Sequence, residues 1–236
     1  MAFIFTYTKL TGYEKCPRQH KAVELDKTPG WGPQGDAIDY GNRVHKALHE
    51  CLKNNIPLPV MLKGLQYWVD WAKQLEGDHY IEQNWALDRF YQPVDYFGAP
   101  WLRFKADFAA VNESGAVGTL VDWKTGKRLE EPLQLRLGAG VMFAHFPKLQ
   151  KIMSMFVWLK EDDGLKPEEC TSTEIISKDE IGDIWESLLP RIQTYENAFQ
   201  LANGHRGDHP AFPARPGKHC GWCRVQFCEH WGKKQA

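Results

Sequence analysis

A predicted β-hairpin in the middle of the chain constrains the fold more than any other feature of this sequence. Its strands are expected at about 101–111 and 116–125, where Val, Leu, Phe and Trp occupy many of the positions. The segment between them, 112–115, has the sequence NESG, and Asn and Gly favour tight turns. We therefore expect this hairpin to form part of a central β-sheet.

Three charged side chains lie near the ends of these strands: Asp107 on the first, and Asp122 and Lys124 on the second. Successive side chains of a strand point to opposite faces, so Asp122 and Lys124 share one face and Trp123 lies on the other. If the hairpin forms, Asp107 can reach the same face. Carboxylates are suitable ligands for Mg²⁺ or Mn²⁺, and a lysine can stabilise charge on a phosphoryl oxygen. The alternative is a half-exposed hairpin with solvated charges, which is the usual explanation of an isolated D-x-K.

The composition favours a cytoplasmic protein without a membrane span. The 236 residues are 43% hydrophobic, which suits one domain of moderate size. No apolar run approaches the roughly 20 residues that cross a bilayer, and the N-terminus lacks the features of a signal peptide. The net charge of −1 restricts nucleic-acid binding to local patches, and Lys127 and Arg128 lie close to the hairpin. No G-x-x-x-x-G-K-[ST] motif is present, which excludes ATP hydrolysis by that route.

Helices and further strands are predicted on both sides of the hairpin. The almost wholly apolar strand at 151–160 is expected inside the sheet. We divide a single domain into a helical lobe (1–78), a sheet core with helices (79–203) and a cysteine-rich tail (204–236). The other predicted segments are helices at 5–25 (after a Thr cap, with a break at Cys16-Pro17), 36–52, 59–76, 131–146 and 178–203, strands at 80–93 and 172–177, and a loop at 26–35.

The helix that begins near Asp36 carries an apolar stripe at helical spacing, and His45 falls inside it. The stripe consists of Ile38, Gly41, Val44, Leu48, Cys51 and Leu52. A histidine in such a stripe is usually a core residue with satisfied hydrogen bonds. The helix pattern alone therefore gives little support for His45 as a metal ligand.

Three of the six cysteines form a compact motif, Cys220-x2-Cys223-x4-Cys228, in a tail rich in Gly, Pro and His. Such a motif in a loop serves no packing purpose, so metal binding is the expected role. The best candidate for a fourth ligand is Cys16, which adjoins a proline at a helix break.

The identity of the metal stays open from spacing alone. Cys51 lies on a helix core face and Cys170 in a polar loop, so both are expected to take no part. Zinc accepts four thiolates, or three thiolates with His219 or His230. A [4Fe–4S] cluster takes four thiolates.

Taken together, the order of these features resembles the RecB-like branch of the PD-(D/E)xK nucleases. More closely, it is similar to the iron–sulfur members of that branch, namely the CRISPR-associated adaptation nucleases and the nuclease domains of bacterial end-resection complexes. The resemblance covers most of the chain, and members often carry a tyrosine where this sequence has Gly138. The matching features are Cys16-Pro17, the helical stretch 41–45 (GNRVH), Asp107, the block 122–126 (DWKTG), Gln134 and the cysteine motif of the tail.

This resemblance implies a restriction-endonuclease-like α/β fold, in which helices flank a mixed central sheet. It also implies a helical N-terminal lobe clamped to the C-terminal tail by a [4Fe–4S] cluster. The cluster ligands would be Cys16, Cys220, Cys223 and Cys228. The Mg²⁺ or Mn²⁺ ligands would be His45, Asp107, Asp122 and the backbone carbonyl of Trp123, with Asp107, Asp122 and Lys124 as the catalytic residues.

The implied activity is a metal-dependent deoxyribonuclease, expected to be an exonuclease acting on single-stranded DNA or DNA ends. Glu82, Gln134, Lys127 and Arg128 would have accessory or DNA-binding roles. A separate helicase, recombinase or integrase would be the protein partner, in CRISPR adaptation, phage recombination or repair. Two alternatives remain: a non-catalytic DNA-binding module of the same fold, and a zinc-stabilised scaffold protein.

Overall fold

A computed structural model describes residues 2–28, 36–129, 132–159 and 167–233 of the chain. The chain divides into two compact units, of which the first comprises Met1–Pro33 and Glu186–Ala236 and the second Gln34–Trp185. The α-helices are α1 (Tyr7–Lys15), α2 (Pro17–His20), α3 (Asp36–Asn54), α4 (Gln66–Gln74), α5 (Pro132–His145) and α6 (Ile181–Leu201). The strands are β1 (Asp78–Leu87), β2 (Leu102–Val111), β3 (Val117–Lys124), β4 (Lys151–Trp158) and β5 (Thr171–Ser177). In the parts of the chain described here, no helix has the length and apolarity of a membrane span.

The second unit contains a five-stranded mixed sheet in the order β1-β2-β3-β4-β5. Strands β1, β2 and β3 are antiparallel neighbours, β4 runs parallel to β3 after the crossover through α5, and β5 is antiparallel to β4. The mixed sheet with flanking helices and the interior position of β4 are confirmed. The central hairpin also forms as predicted.

Helices cover both faces of this sheet because its strand residues alternate between two apolar layers. On one face Phe108, Val121 and Trp123 pack in a cluster with Val44 and Leu48 of α3. The other face meets α5, where Leu135 packs against side chains of β4. Helices α3 and α4 belong to the second unit together with the sheet, and α1 and α2 belong to the first unit.

Three predicted elements differ from the structure. The strand predicted at 80–93 ends at Leu87, because the Asp88 carboxylate accepts hydrogen bonds from the N–H groups of Phe90 and Gln92 and closes a turn. The helix predicted at 59–76 begins as a 3₁₀ turn, Val60–Leu65, which has no side-chain cap. Ile38, expected in the buried stripe of α3, is 45% exposed. Most of the loop predicted at 26–35 lies outside the described residues.

In the first unit, local sequence signals determine where the N-terminal helices begin. The Thr6 hydroxyl accepts a hydrogen bond from the Lys9 N–H at 3.1 Å, which confirms the threonine cap of α1. Pro17 opens α2 as predicted, because proline lacks a backbone N–H and the N–H groups of the first helical turn have no partner within the helix. The aromatic core of the unit includes Tyr13 stacked on Tyr195, with ring centroids 4.9 Å apart.

A glycine determines how closely α5 approaches the sheet. A Cβ atom on Gly138 would lie only 2.7 Å from both Leu120 Cδ2 and Phe104 Cζ. We expect Gly138→Ala to lower the free energy of unfolding by about 1–3 kcal/mol through overpacking, measured by denaturant unfolding.

The matched control for this substitution is Gly182→Ala in the first turn of α6, where nothing lies within 4 Å of the added carbon. The control should be neutral or slightly stabilising, because alanine is the better helix former. Equal stability of the Gly138→Ala variant and the wild type would contradict the close contact.

Candidate active site

Elements of the second unit bring a group of polar side chains together beside the central hairpin. Helix α3 contributes one residue, each of β1 and β2 one, β3 two and α5 one. These residues are His45, Glu82, Asp107, Asp122, Lys124 and Gln134.

The first part of this site is a set of three possible metal ligands. His45 Nδ1 lies 3.3 Å from Asp107 Oδ1 and 4.0 Å from Glu82 Oε1. One possible ligand atom from each of the three residues lies within 4.8 Å of the ligand atoms of the other two. The His45 side chain is 30% exposed and faces these carboxylates, whereas its neighbour Val44 is fully buried. Nitrogen and carboxylate oxygen donors at this spacing suit a divalent cation such as Mn²⁺ or Mg²⁺.

Glu82 reaches this set through an unusual backbone conformation. Its φ is 51°, a left-handed value that is uncommon for residues other than glycine. Tyr80 and Trp85 both contact Phe146, with centroids 4.9 and 5.7 Å away, although residues five apart should lie on opposite faces. The alternation of β1 therefore changes phase between them, and Glu82 is the left-handed residue in that interval. The sequence gives no signal for this conformation, and it predicts Glu82 only as an accessory residue near the start of a strand.

Asp107 connects this set to β3. Its Oδ2 accepts a hydrogen bond from the Trp123 N–H at 2.9 Å, while its Oδ1 faces His45. The Trp123 side chain is 2% exposed and packs in the core on the opposite face. The core thus fixes the backbone of Trp123, and this backbone orients the carboxylate of Asp107.

Asp122 and Lys124 lie side by side, as strand alternation predicts. Lys124 Nζ is 3.0 Å from Asp122 Oδ1 and 3.1 Å from its Oδ2. The same ammonium lies 4.7 Å from the centroid of the Phe156 ring, an arrangement that favours a cation. The position of the Lys124 ammonium is therefore defined by a carboxylate and an aromatic ring together.

Gln134 contacts both charged residues of β3. Its Nε2 donates to Asp122 Oδ2 at 2.6 Å, and its Oε1 accepts from Lys124 Nζ at 3.1 Å. One turn later, Gly138 leaves no space for a larger side chain, because Leu120 and Phe104 occupy that position. Gln134 is thus placed to orient Asp122 and Lys124.

The negatively charged carboxylates of the site repel one another, which makes their ionised forms less favourable. Burial, followed by the charge of Asp107, raises the pKa of Asp122 to about 6, although Lys124 and His45 oppose the shift. Burial works against the protonated imidazole of His45, but its hydrogen bond to Asp107 and the nearby carboxylates outweigh burial and raise the pKa of His45. A divalent cation among these groups would stabilise the ionised carboxylates and replace the proton on His45.

A glycine allows α3 to approach the end of β3. A Cβ atom on Gly41 would lie 2.9 Å from Thr125 Oγ1. The two sequence blocks 41–45 and 122–126 are therefore in direct contact, and His45 follows Gly41 by about one helical turn.

The two basic residues after β3 have different surroundings. Lys127 is exposed. The Arg128 guanidinium donates hydrogen bonds to the carbonyl oxygens of Glu169 and Thr171, at 3.1 and 3.0 Å. Arg128 therefore also stabilises the backbone at the start of β5.

The four cysteines singled out from the sequence lie in the first unit, where they line one common pocket. Backbone N–H groups point at two of the sulfurs: Gly217 N lies 3.5 Å from Cys220 Sγ, and Val225 N lies 3.4 Å from Cys223 Sγ. Burial and the neighbouring thiols raise the pKa of Cys223, while the Val225 N–H opposes this shift. Four thiols that line one pocket, two of them facing backbone N–H groups, supply the donor set that a four-thiolate metal centre uses.

The remaining cysteines and two histidines complete the description of this pocket. Cys51 and Cys170 are both buried in the hydrophobic core of the second unit, whereas the four cysteines of the pocket lie in the first unit. His219 and His230 both line the cysteine pocket. His219 Nε2 is buried and has no hydrogen-bond partner among the described residues. The donor set thus accommodates a four-thiolate centre, and the zinc alternative with a histidine stays open.

Comparisons with known proteins give one informative result. The model of the PD-(D/E)XK nuclease superfamily matches residues 4–228. A search of curated proteins gave no significant match. A solved structure described as "Crystal structure of SSO0001" is similar over 100% of this chain and 89% of its own, with 14% identity and a TM-score of 0.43.

The family match covers nearly the whole chain and includes every side chain of the site beside the hairpin. It also covers both the N-terminal cysteine and the cysteine motif of the tail. The chain therefore belongs to the PD-(D/E)XK nuclease superfamily.

Proposed function

We propose that this protein is a Mg²⁺- or Mn²⁺-dependent deoxyribonuclease of the RecB-like branch that also holds an iron–sulfur cluster. The observation that supports it best is the convergence of Asp107, Asp122 and Lys124 with His45 and Glu82 beside one hairpin. A degenerate DNA-binding module would have no need to keep this set together. Superfamily membership supports the reaction class.

The proposed ligands of the metal ion are the side chains of His45, Asp107 and Asp122 and the backbone carbonyl of Trp123. The Glu82 carboxylate would be a further ligand. A bound divalent ion lowers the pKa of a coordinated water and neutralises charge on the scissile phosphate. Lys124 would hold the attacking water or a phosphate oxygen with its ammonium. Gln134 keeps that ammonium and Asp122 in a fixed relation, so its role is positioning.

The proposed substrate is DNA, taken from a free end or a single strand by exonuclease action. Lys127 is exposed near the site and available to a phosphate backbone. We assign the chain to the cytoplasm, where a separate helicase, recombinase or integrase would supply or receive the DNA. CRISPR adaptation, phage recombination and repair are the processes that need such an enzyme.

The proposed role of the cysteine pocket is structural. A [4Fe–4S] cluster on Cys16, Cys220, Cys223 and Cys228 would join the break between α1 and α2 to the C-terminal tail. Arg18 supports this connection, because its guanidinium lies 3.8 Å from Cys228 Sγ and forms ion pairs with Asp208 and Glu229. Zinc held by three of these thiolates and His219 is the second candidate, favoured by the buried Nε2 of that histidine.

The test of the activity is cleavage of end-labelled single- and double-stranded DNA with Mg²⁺ or Mn²⁺, compared with the same reaction in chelator. Closed circular single-stranded DNA distinguishes an exonuclease from an endonuclease, because it offers no end. Metal-dependent cleavage supports the proposal. DNA binding without cleavage under every metal condition would instead favour the non-catalytic module.

Substitution of His45 separates a metal ligand from a core residue. We expect His45→Ala to weaken Mn²⁺ binding at least about tenfold, measured by isothermal titration calorimetry, because one donor of the site is lost. Its thermal midpoint should change little, since the side chain is partly exposed.

The matched control is His49→Ala, one turn further along α3, which should bind Mn²⁺ like the wild type. Unchanged Mn²⁺ affinity together with a lowered midpoint in the His45→Ala variant would return His45 to the core interpretation.

A further inference from the structure

The loop between β1 and β2, residues 88–101, is an ordered structure with two outward-facing aromatic rings. Its base is fixed by the hydrogen bonds from Val94 N to the Ala86 carbonyl oxygen at 3.1 Å and from Trp101 N to the Leu87 carbonyl oxygen at 2.9 Å. Tyr91 anchors the loop to the unit, because its ring stacks on Trp185 with centroids 4.4 Å apart. We call this segment the aromatic loop.

The exposed rings of the aromatic loop are not explained by the packing of the unit. Phe90 is 80% exposed and Phe97 is 79% exposed. Tyr96 lies against Phe97, with centroids 5.2 Å apart, and it is itself only partly buried. Three aromatic residues on the surface of one short anchored loop form a candidate contact surface for another molecule.

A row of cations connects this loop to the candidate active site. Arg103 and Lys105 are two residues apart on β2 and therefore share a face. Phe104, between them, faces α5 at Gly138, so the two cations point away from α5. Lys105 forms an ion pair with Glu82 at the site, and its side chain is still 55% exposed. The cationic row thus begins at the proposed metal ligands.

The same row ends at the aromatic loop. The Arg103 guanidinium lies 5.1 Å from the centroid of the Tyr96 ring. Arg103 is four residues from Asp107, which corresponds to about 13 Å along an extended strand. Cations followed by exposed aromatic rings, at a distance of a few nucleotides from a phosphodiester site, match the pattern of proteins that bind single-stranded nucleic acid.

We propose that the aromatic loop is a stacking platform for unpaired bases, and that Arg103 and Lys105 hold the phosphates between the platform and the active site. The occupant is a single DNA strand, because bases within a duplex are already stacked and their faces are not available. This inference deepens the proposed nuclease function and relies on it for the nature of the ligand. The platform fixes the position of the strand and takes no part in the bond cleavage.

The experiment measures binding of a short fluorescein-labelled oligothymidylate by fluorescence anisotropy in Ca²⁺, which occupies carboxylate sites. We expect Phe97→Ala to weaken binding by about tenfold, since a base–aromatic stack contributes about that factor. Phe97→Trp should keep the affinity. Phe97→Leu should lose it, because leucine has similar apolar bulk but no aromatic face.

Two controls make the result specific. Ile175→Ala removes another exposed apolar side chain, 67% exposed, on β5 at the opposite edge of the sheet, and it should bind like the wild type. Binding of a blunt duplex should change little in the Phe97→Ala variant. Equal losses for duplex and single strand, or wild-type affinity of Phe97→Ala for the single strand, would overturn the platform.

A small phosphodiester separates this inference from the proposed function. The p-nitrophenyl ester of thymidine 5′-monophosphate is too short to reach the aromatic loop. With Mn²⁺ the wild type and Phe97→Ala should hydrolyse it at equal rates, and a fall in the rate of the variant would overturn the platform as well. A wild type that hydrolyses neither this ester nor DNA contradicts the nuclease assignment, whereas the anisotropy result decides the platform independently.

Discussion

Replacing Lys124 with alanine will abolish Mn²⁺-dependent DNA cleavage, a loss of about a thousandfold or more in rate. A charged donor aimed at the reacting phosphate is among the largest contributions that one side chain makes to catalysis. Within the described parts of the chain, the partners of the ammonium are Asp122, Gln134 and the Phe156 ring, all of which belong to the site or border it. Its removal should therefore leave the fold intact while the reaction stops.

Asp122→Ala should have an effect of the same size for a different reason. It removes a proposed metal ligand and at the same time releases both Lys124 and Gln134, which contact its carboxylate. The Asp122 and Lys124 side chains are 25% and 27% exposed, so neither truncation opens a core cavity.

Lys151→Ala is the matched control for Lys124→Ala, since it removes an exposed lysine at the start of β4, which pairs with Val117 at the end of β3 far from Lys124. It should cleave DNA at a rate within a few-fold of the wild type. The measurement is the initial rate on end-labelled DNA, with circular dichroism to establish folding. Folded Asp122→Ala or Lys124→Ala protein that cleaves like the wild type would end the assignment of these residues.

The parts of the fold that the sequence predicts well are those governed by local rules. The central hairpin follows from alternation and from a turn rich in Asn and Gly, and the strands form within one residue of the expected bounds. The threonine cap and the proline at the start of α2 are equally local signals. Each depends on contacts between residues near one another in sequence.

The features that the sequence does not predict depend on distant contacts. No local pattern predicts the positive φ of Glu82, because that conformation is stabilised by the surrounding strands and costs about 1–3 kcal/mol in isolation. The early end of β1 arises because the Asp88 side chain, and not a neighbouring strand, accepts hydrogen bonds from the backbone N–H groups of Phe90 and Gln92. Similarly, the arrangement of α3 against β3 requires Gly41 to meet Thr125, a residue far along the chain.

The cysteine variants test whether one metal centre joins the two ends of the chain. Cys16 and Cys228 lie 212 positions apart, so a shared centre would close almost the whole chain into a loop. Restricting so long a loop in the unfolded state stabilises the folded state by an amount on the order of a few kcal/mol. We expect Cys16→Ala and Cys223→Ala each to lose the visible absorption of the cluster and most of the soluble yield.

Cys51→Ala and Cys170→Ala are the matched controls, because they truncate buried cysteines in the core of the second unit. Both should keep the absorption, as should His219→Ala if all four ligands are thiolates. The measurement is iron, sulfide and zinc analysis of protein purified without oxygen. Stoichiometric zinc without iron in the wild type would exclude the cluster, and loss of that zinc in His219→Ala would identify the histidine as the fourth ligand. A brown Cys16→Ala protein would instead show that the tail holds a cluster without the N-terminal cysteine, and it would refute the proposed connection between the two ends of the chain, because that connection depends on the Cys16 thiolate.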